Sequence, residues 1–255
     1  LKSELKKTIY YYSYTDDLVT NKGQTSQLPN NYKWLHHNIF YRGFGFIIFV
    51  IARFIGVCYC KLCLHVTVKN KQILKNYRKQ GIFLYGNHTQ AVGDVFVPML
   101  IAYPKRSFTV ASAANLGVPV VGKIINFGGI VIPDTIRQMR YFNQAIIQRI
   151  NENHPIVIFP EAHVWPYYTK IRPFTDTSFH YPVQNNVPSF CMTTTYQKRK
   201  HGNKPKITVY VDGPFLPDET LAKKARQKKL CADIYDCMVD RTKNNTYEYI
   251  KYQRQ

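Results

Sequence analysis

Hydrophobic and polar positions divide the chain into three stretches. The first thirty or so residues are polar and Tyr-rich, show no helical period and end in the turn-like Leu28-Pro29-Asn30-Asn31, which predicts an irregular arm. The most apolar stretch follows, Gly43–Ala52, interrupted by Arg53 and resumed over Phe54–Cys60. Ten and seven residues on either side of an arginine are each too short to span a bilayer. The pattern therefore predicts a helix that lies in or dips into one leaflet, with Arg42, Arg53 and Lys61 reaching back to the headgroups. A core helix of a soluble domain is the alternative, but bases flanking the run on both sides favour the interfacial helix.

From residue 64 the pattern changes to short β-rich runs that alternate with helical stretches. Strands are predicted at Leu64–Val68, Ile82–Tyr85, Phe108–Ala111, Gly129–Ile132, Ile156–Phe159, Ser189–Thr195 and Ile207–Val211. Helices are predicted at Lys71–Gln80, Val95–Ala102, Val120–Phe127, Thr135–Asn151 and Pro173–Asn185. Such alternation predicts an α/β fold, a mostly parallel central sheet flanked by helices. Ligands then gather at the carboxyl ends of the strands. The last stretch, Pro217–Gln255, reads as one or two charged helices with apolar positions at Leu221, Leu230, Ile234 and Met238. The expected organisation is a polar arm with a membrane-associating helix over 1–63, an α/β domain over 64–216 and a basic helical extension packing on it over 217–255.

Composition narrows the class. A chain of 255 residues with 45% hydrophobic, 15% aromatic and 20% charged residues has the make-up of a globular domain and excludes a disordered or collagenous chain. Six cysteines are too dilute for a disulfide scaffold, and nothing at the start resembles a secretory leader, so an intracellular protein with free thiols is expected. The 35 bases and 15 acids leave a net charge of +20. Residues 1–80 hold 13 bases and 3 acids, residues 81–197 hold 8 and 5, and residues 198–255 hold 14 and 7. Basic flanks suit nucleic acid and anionic lipid equally, so charge alone does not choose the partner.

Three predicted strands end in polar clusters that would converge at one rim of a parallel sheet. After Ile82–Tyr85 comes Gly86-Asn87-His88, with Asp94 six residues beyond the histidine. An imidazole can take the proton of a bound hydroxyl while a carboxylate holds its tautomer. A helix-capping Asp94 beside an ordinary loop histidine fits the same residues, and taken alone is the better reading. Ile156–Phe159 runs into Pro160-Glu161-Ala162-His163, and Gly128–Ile132 is followed by Arg137, a side chain suited to phosphate. Other patterns carry less. Gly117–Lys123 is like a nucleotide P-loop, but Ile124 stands where a hydroxyl residue would bind magnesium. Cys58, Cys60, Cys63 and His65 lack zinc-ribbon spacing and read as buried thiols. Gly-x-Ser-x-Gly is absent, against an α/β-hydrolase.

In order and content these clusters resemble the glycerolipid acyltransferase family, the lysophosphatidic acid (1-acylglycerol-3-phosphate) acyltransferases and their relatives, over roughly residues 65–215. The family's first motif is Asn-His, four spacers and Asp; here Asn87-His88 precede Asp94 by five. The stretch Gly128–Arg137 is similar to the second motif, whose arginine binds phosphate. Phe159-Pro160-Glu161 matches the start of the third, Phe-Pro-Glu-Gly-Thr-Arg, with Ala162, His163 and Val164 in the last three places and Lys170 or Arg172 standing in for the arginine. Val187-Pro188 resembles the fourth.

The resemblance implies transfer of a fatty acyl group from acyl-CoA or acyl carrier protein to a lysophospholipid hydroxyl, with 1-acylglycerol-3-phosphate as the leading acceptor. In that scheme His88 is the base and Asp94 its orienter. Asn87, Glu161, Ala162 and His163 line the acceptor, and Arg137, Lys170 and Arg172 neutralise its phosphate. No metal or other cofactor is needed, because a thioester is already activated. The expected partners are the lipid and thioester substrates and an anionic membrane surface, with no nucleic acid. The expected place is the cytoplasmic face of a membrane, as a peripheral or monotopic protein. A catalytically idle lipid-binding relative is the alternative, and a basic nucleic-acid-binding protein is a weaker one.

Overall fold

β-branched and aromatic residues fit a pleated surface buried on both faces, and all seven predicted runs form strands of one sheet. The computed structural model describes residues 7–19, 27–119 and 121–255. In chain order its elements are β1 (Lys7–Tyr11), α1 (Ile39–Cys58), β2 (Val66–Lys69), β3 (Ile82–Gly86), α2 (Gly93–Ala102), β4 (Phe108–Ala111), α3 (Val121–Ile124), β5 (Gly129–Val131), α4 (Ile136–Asn151), β6 (Pro155–Ile158), α5 (His180–Asn185), β7 (Ser189–Gln197), β8 (Lys206–Phe215), α6 (Lys223–Arg241) and β9 (Ile250–Arg254). The large sheet has the order β2-β8-β7-β3-β6-β4-β5. Every neighbouring pair in it is parallel except the β7–β8 hairpin. This is the expected mostly parallel α/β fold.

Alternation along β3 divides the core in two. Phe83 and Tyr85 point into a cluster with Phe142 and Ile146 of α4 and with Leu230, Ile234 and Met238 of α6. Ile82 and Leu84 point the other way, onto Val97 and Ile101 of α2 and Leu74, as a period of two requires. Helices thus cover both faces, and β3 lies at the centre with its carboxyl end open to the rim.

Several expectations are corrected. The apolar stretch is not interrupted at Arg53: α1 runs unbroken, and a π-helical turn, Tyr59–Cys63, extends it. Asn38 starts it by accepting from the Phe40 and Tyr41 amides at 2.8 and 3.2 Å, an N-cap. The Arg53 guanidinium lies 3.6 Å over the Tyr103 ring, which shelters the charge on the domain side. Over 39–63 the helix is long and apolar enough to cross a membrane. Cys60 is buried, but Cys58 is only half-buried and Cys63 is exposed. The 71–80 and 173–185 helices shrink to a 3₁₀ turn, Lys71–Tyr77, and to a 3₁₀ turn with the short α5.

The last stretch packs on the domain through α6, but it ends in a strand where a helix was expected. Leu230, Ile234 and Met238, spaced by four, are buried in the main core, and Ile250–Arg254 is a strand. It pairs in parallel with β1, Lys7 opposite Ile250 through Tyr11 opposite Arg254, so part of the supposedly irregular arm is a strand too. The rest of that expectation, at residues 1–6 and 20–26, and Val120 of the expected helix and P-loop-like stretch lie outside the described residues.

His154, between α4 and β6, sets an acid limit on stability. Burial, opposed by the charge of Glu152, lowers its imidazole to about 4. Below its unfolded value of about 6.5 the unfolded chain takes up a proton that the folded chain refuses, so stability falls as pH drops from about 6.5 to about 4. The loss is at most about 3 kcal/mol. Urea midpoints measured at pH 7.5 and 4.5 should differ by less in His154→Gln than in the unsubstituted protein.

Candidate active site

β3 ends at Gly86, and the chain turns at Asn87 because both ends of that side-chain amide are taken. Its Nδ2 donates to the Thr194 carbonyl at 3.0 Å, and its Oδ1 accepts from the Thr194 amide at 2.8 Å. Asn87 is therefore a buried clamp between β3 and β7, and it is not placed to touch a substrate as the sequence had suggested. His88 follows at the rim. Its Nδ1 lies 2.8 Å from Asp94 Oδ2, and the ring stacks on Phe159 with centroids 4.6 Å apart.

The five-residue spacer is absorbed by a turn whose ends meet. The Asp94 amide donates to the Gln90 carbonyl, and the Gln90 amide donates back to Asp94 Oδ2, both at 2.9 Å. Gly93 serves by its small size, since a Cβ there would come within 2.9 Å of the Gln90 Cβ; it begins α2 with ordinary helical geometry. Asp94 is buried in the first turn of α2, where the helix dipole favours a negative charge. With Nδ1–H donated to this carboxylate, the Nε2 lone pair is the basic one. The His88 side chain is 20% exposed, enough for that nitrogen to meet a ligand.

The loop after β6 is tied to the His88 loop at three points. The His88 amide donates to Glu161 Oε2 at 3.0 Å, and the Trp165 and Tyr167 amides donate to the His88 and Thr89 carbonyls at 2.9 Å. Arg172 completes the Glu161 carboxylate: its amide reaches Oε1 at 2.9 Å and its guanidinium Oε2 at 3.0 Å. The two side chains are 1% and 0% exposed. Burial raises the Glu161 carboxyl above the ordinary glutamate range, against the pull of the guanidinium and of both amides. Arg172 Nη2 also donates to the His163 carbonyl, Nη1 donates to the Tyr14 carbonyl at 3.1 Å, and the guanidinium lies 4.8 Å over the Trp165 ring. Neither member of this pair faces a ligand, which corrects the expectation that Glu161 lines the acceptor and Arg172 meets its phosphate.

The other predicted residues divide. Lys170 is exposed in the same loop, and His163 Nδ1 stands 3.9 Å from Asp17 Oδ2 of the N-terminal arm. Arg137 is exposed in the first turn of α4. It follows β5, three strands from β3 in the sheet order. Ala162 holds φ at +65°, left-handed geometry that favours glycine, and glycine is what the resembled motif has there. Ala162→Gly should raise stability by roughly 1 kcal/mol in urea unfolding.

Sequence reasoning missed the support beneath the pair. Tyr196 of β7 accepts from Gln90 Nε2 at 2.9 Å and donates to Thr89 Oγ1 at 2.7 Å. Tyr11, Tyr14, Tyr168 and Tyr252 surround Trp165, and the Trp165 indole donates to the Asp16 carbonyl at 2.9 Å. The Tyr-rich runs at the two ends of the chain were visible, but nothing in either marked the other as its partner. Among the described residues, the group with metal-ligand spacing is Cys191, Asp212 and Cys237, whose carboxylate is taken by Arg241.

Comparison with known proteins gives a family and a fold. Residues 65–194 match the family model described as Acyltransferase. No curated protein matches the chain. Among solved structures, the chain is similar to the 1-acyl-sn-glycerophosphate (LPA) acyltransferase PlsC from Thermotoga maritima. That match has 15% identity and a TM-score of 0.56, covering 82% of this chain and 90% of the other. At that identity the likeness is one of fold.

Proposed function

Because the chain belongs to the acyltransferase family, we propose that it transfers a fatty acyl group from a thioester, acyl-CoA or acyl carrier protein, to the free hydroxyl of a lysophospholipid, with 1-acylglycerol-3-phosphate as the leading acceptor. The observation that carries this reading is the 2.8 Å contact between His88 Nδ1 and Asp94 Oδ2 at the rim of the sheet.

His88 Nε2 takes the proton of the acceptor hydroxyl as its oxygen attacks the thioester carbonyl carbon. Asp94 holds the Nδ1–H and stabilises the imidazolium. The tetrahedral intermediate collapses with cleavage of the C–S bond, and the imidazolium returns its proton to the departing thiolate. The products are an ester and a free thiol, and His88 is regenerated. Glu161 and Arg172 act as positioning residues, holding the His88 backbone through the Glu161 carboxylate. Lys170, exposed in the adjoining loop, is the cation best placed for the acceptor's phosphate.

The membrane reading is supported by α1. It leaves Phe46, Ile47, Val50, Ile51, Phe54 and Ile55 exposed. Its other side rests on the domain, with Gly45 against Phe127 and Gly56 against Phe96. A helix held to the domain along its length lies in the interface plane more readily than it crosses the bilayer. We place the protein as a monotopic one, its rim at the cytoplasmic surface of the membrane.

The test is acyl transfer from labelled acyl-CoA, and separately from acyl carrier protein, to glycerol 3-phosphate and a panel of lysophospholipids. Thioester-dependent product with 1-acylglycerol-3-phosphate is expected. No product with any acceptor, from folded protein that sediments with liposomes, would leave an idle lipid-binding relative.

A further inference from the structure

A cavity of about 210 Å³ opens at the end of the sheet opposite His88. It touches Ile82 and Pro155, the first residues of β3 and β6, whereas His88 and Glu161 follow the last residues of those strands. The two places are therefore separated by about 13 Å or more along the strands. Leu74, Ile82 and Ile101 supply an apolar floor, and Lys71, Lys75, Arg78 and Lys105 surround it. No residue lining it is acidic.

Lys71 and Lys105 are partly buried, and Lys75 and Arg78 stand exposed beside them. The Lys71 ammonium donates to the Leu100 carbonyl, and that of Lys105 donates to the carbonyls of Tyr77 and Gln80 at 3.2 and 2.6 Å. Burial lowers Lys105 to about 8, and burial together with Arg53, Arg78 and Lys61 lowers Lys71. Charges gathered on an apolar floor without a counter-ion call for an anion, and a phosphate carrying an apolar body suits both parts.

Tyr103 shows where that anion would come from. It lines the cavity and carries the Arg53 guanidinium on its face, and Arg53 belongs to α1, whose neighbouring Val50, Ile51 and Phe54 are exposed. A basic pocket beside a membrane-contacting helix meets lipid headgroups at the bilayer surface. We propose that this cavity seats the phosphate headgroup of an anionic phospholipid, apart from the acyl-transfer site. The inference rests on the reading of α1 as the helix that lies on the membrane.

The test is lysine footprinting of the full chain with an amine-acylating reagent, read by mass spectrometry. Dihexanoyl phosphatidylglycerol, kept below its micelle concentration, should reduce labelling of Lys71 and Lys75 at least fivefold and leave exposed Lys223 and Lys224 of α6 unchanged. Lys75→Gln with Arg78→Gln, both at exposed positions, should weaken protection of Lys71 about tenfold. Inorganic phosphate should protect only at far higher concentration. Equal protection by inorganic phosphate would overturn the lipid assignment, and undiminished protection in the double variant would overturn the site. Sedimentation with phosphatidylcholine vesicles, with and without phosphatidylglycerol, tests α1 separately. Footprint protection without any sedimentation would sink the bilayer as the source while leaving acyl transfer to its own assay.

Discussion

His88→Ala is expected to lower acyl transfer by roughly 10²- to 10⁴-fold, the range over which a positioned base acts, while the urea midpoint stays near that of the unsubstituted protein. The imidazole makes its side-chain hydrogen bond to Asp94 at the rim and is partly exposed, so its removal leaves no large cavity. Asp94→Asn separates base from orienter. The amide oxygen can still accept from the Gln90 backbone and from Nδ1–H, but a neutral amide no longer stabilises the imidazolium, so kcat should fall with KM little changed. Equal activity in His88→Ala and the unsubstituted protein would remove His88 from the mechanism and with it the reading of the site.

The second large effect is on stability. Glu161→Ala should cost about 3–5 kcal/mol in urea unfolding, because it strands a permanently charged guanidinium in the interior. Arg172 is 1% exposed, and among the described residues Glu161 is the acid that pairs with it. Replacing both, as Glu161→Gln with Arg172→Met, should recover much of the loss, since a buried pair is expensive to break and cheap to replace whole. The double variant should still show reduced kcat, because the His88 amide then depends on a neutral acceptor. A single Glu161→Ala that loses less than about 1 kcal/mol would mean that water reaches the guanidinium and that the loop is looser than its hydrogen bonds indicate.

Much of the architecture was legible locally. Each of the seven strands of the large sheet comes from a short run rich in β-branched and aromatic residues, and in the central β3, β6 and β7 burial on both faces leaves such runs no better conformation. α4 was readable almost to the residue, since its apolar positions recur with helical period and Thr135 caps it. The π-helical close of α1 at Tyr59–Cys63 was not, and Arg53, expected at the headgroups, lies instead over the Tyr103 ring. β1 and β9 were not either. Each is five residues long and gains its hydrogen bonds from a segment at the other end of the chain, so neither carries a signal of its own.

The candidate site divides along the same line. His88 and Asp94 lie six residues apart, within one turn, but that spacing alone favoured a capping aspartate beside a loop histidine, and it was the family resemblance that pointed to the pair. Glu161 and Arg172 were visible as charges, and the same residues could have faced a phosphate or each other. Burial decided between these: with both side chains out of water, mutual neutralisation costs less than leaving either charge to wait for a ligand. Composition and spacing determine which groups exist near a strand end. Which of them remain open to a substrate depends on contacts between segments as distant as Tyr14 and Arg172, and only packing brings those together.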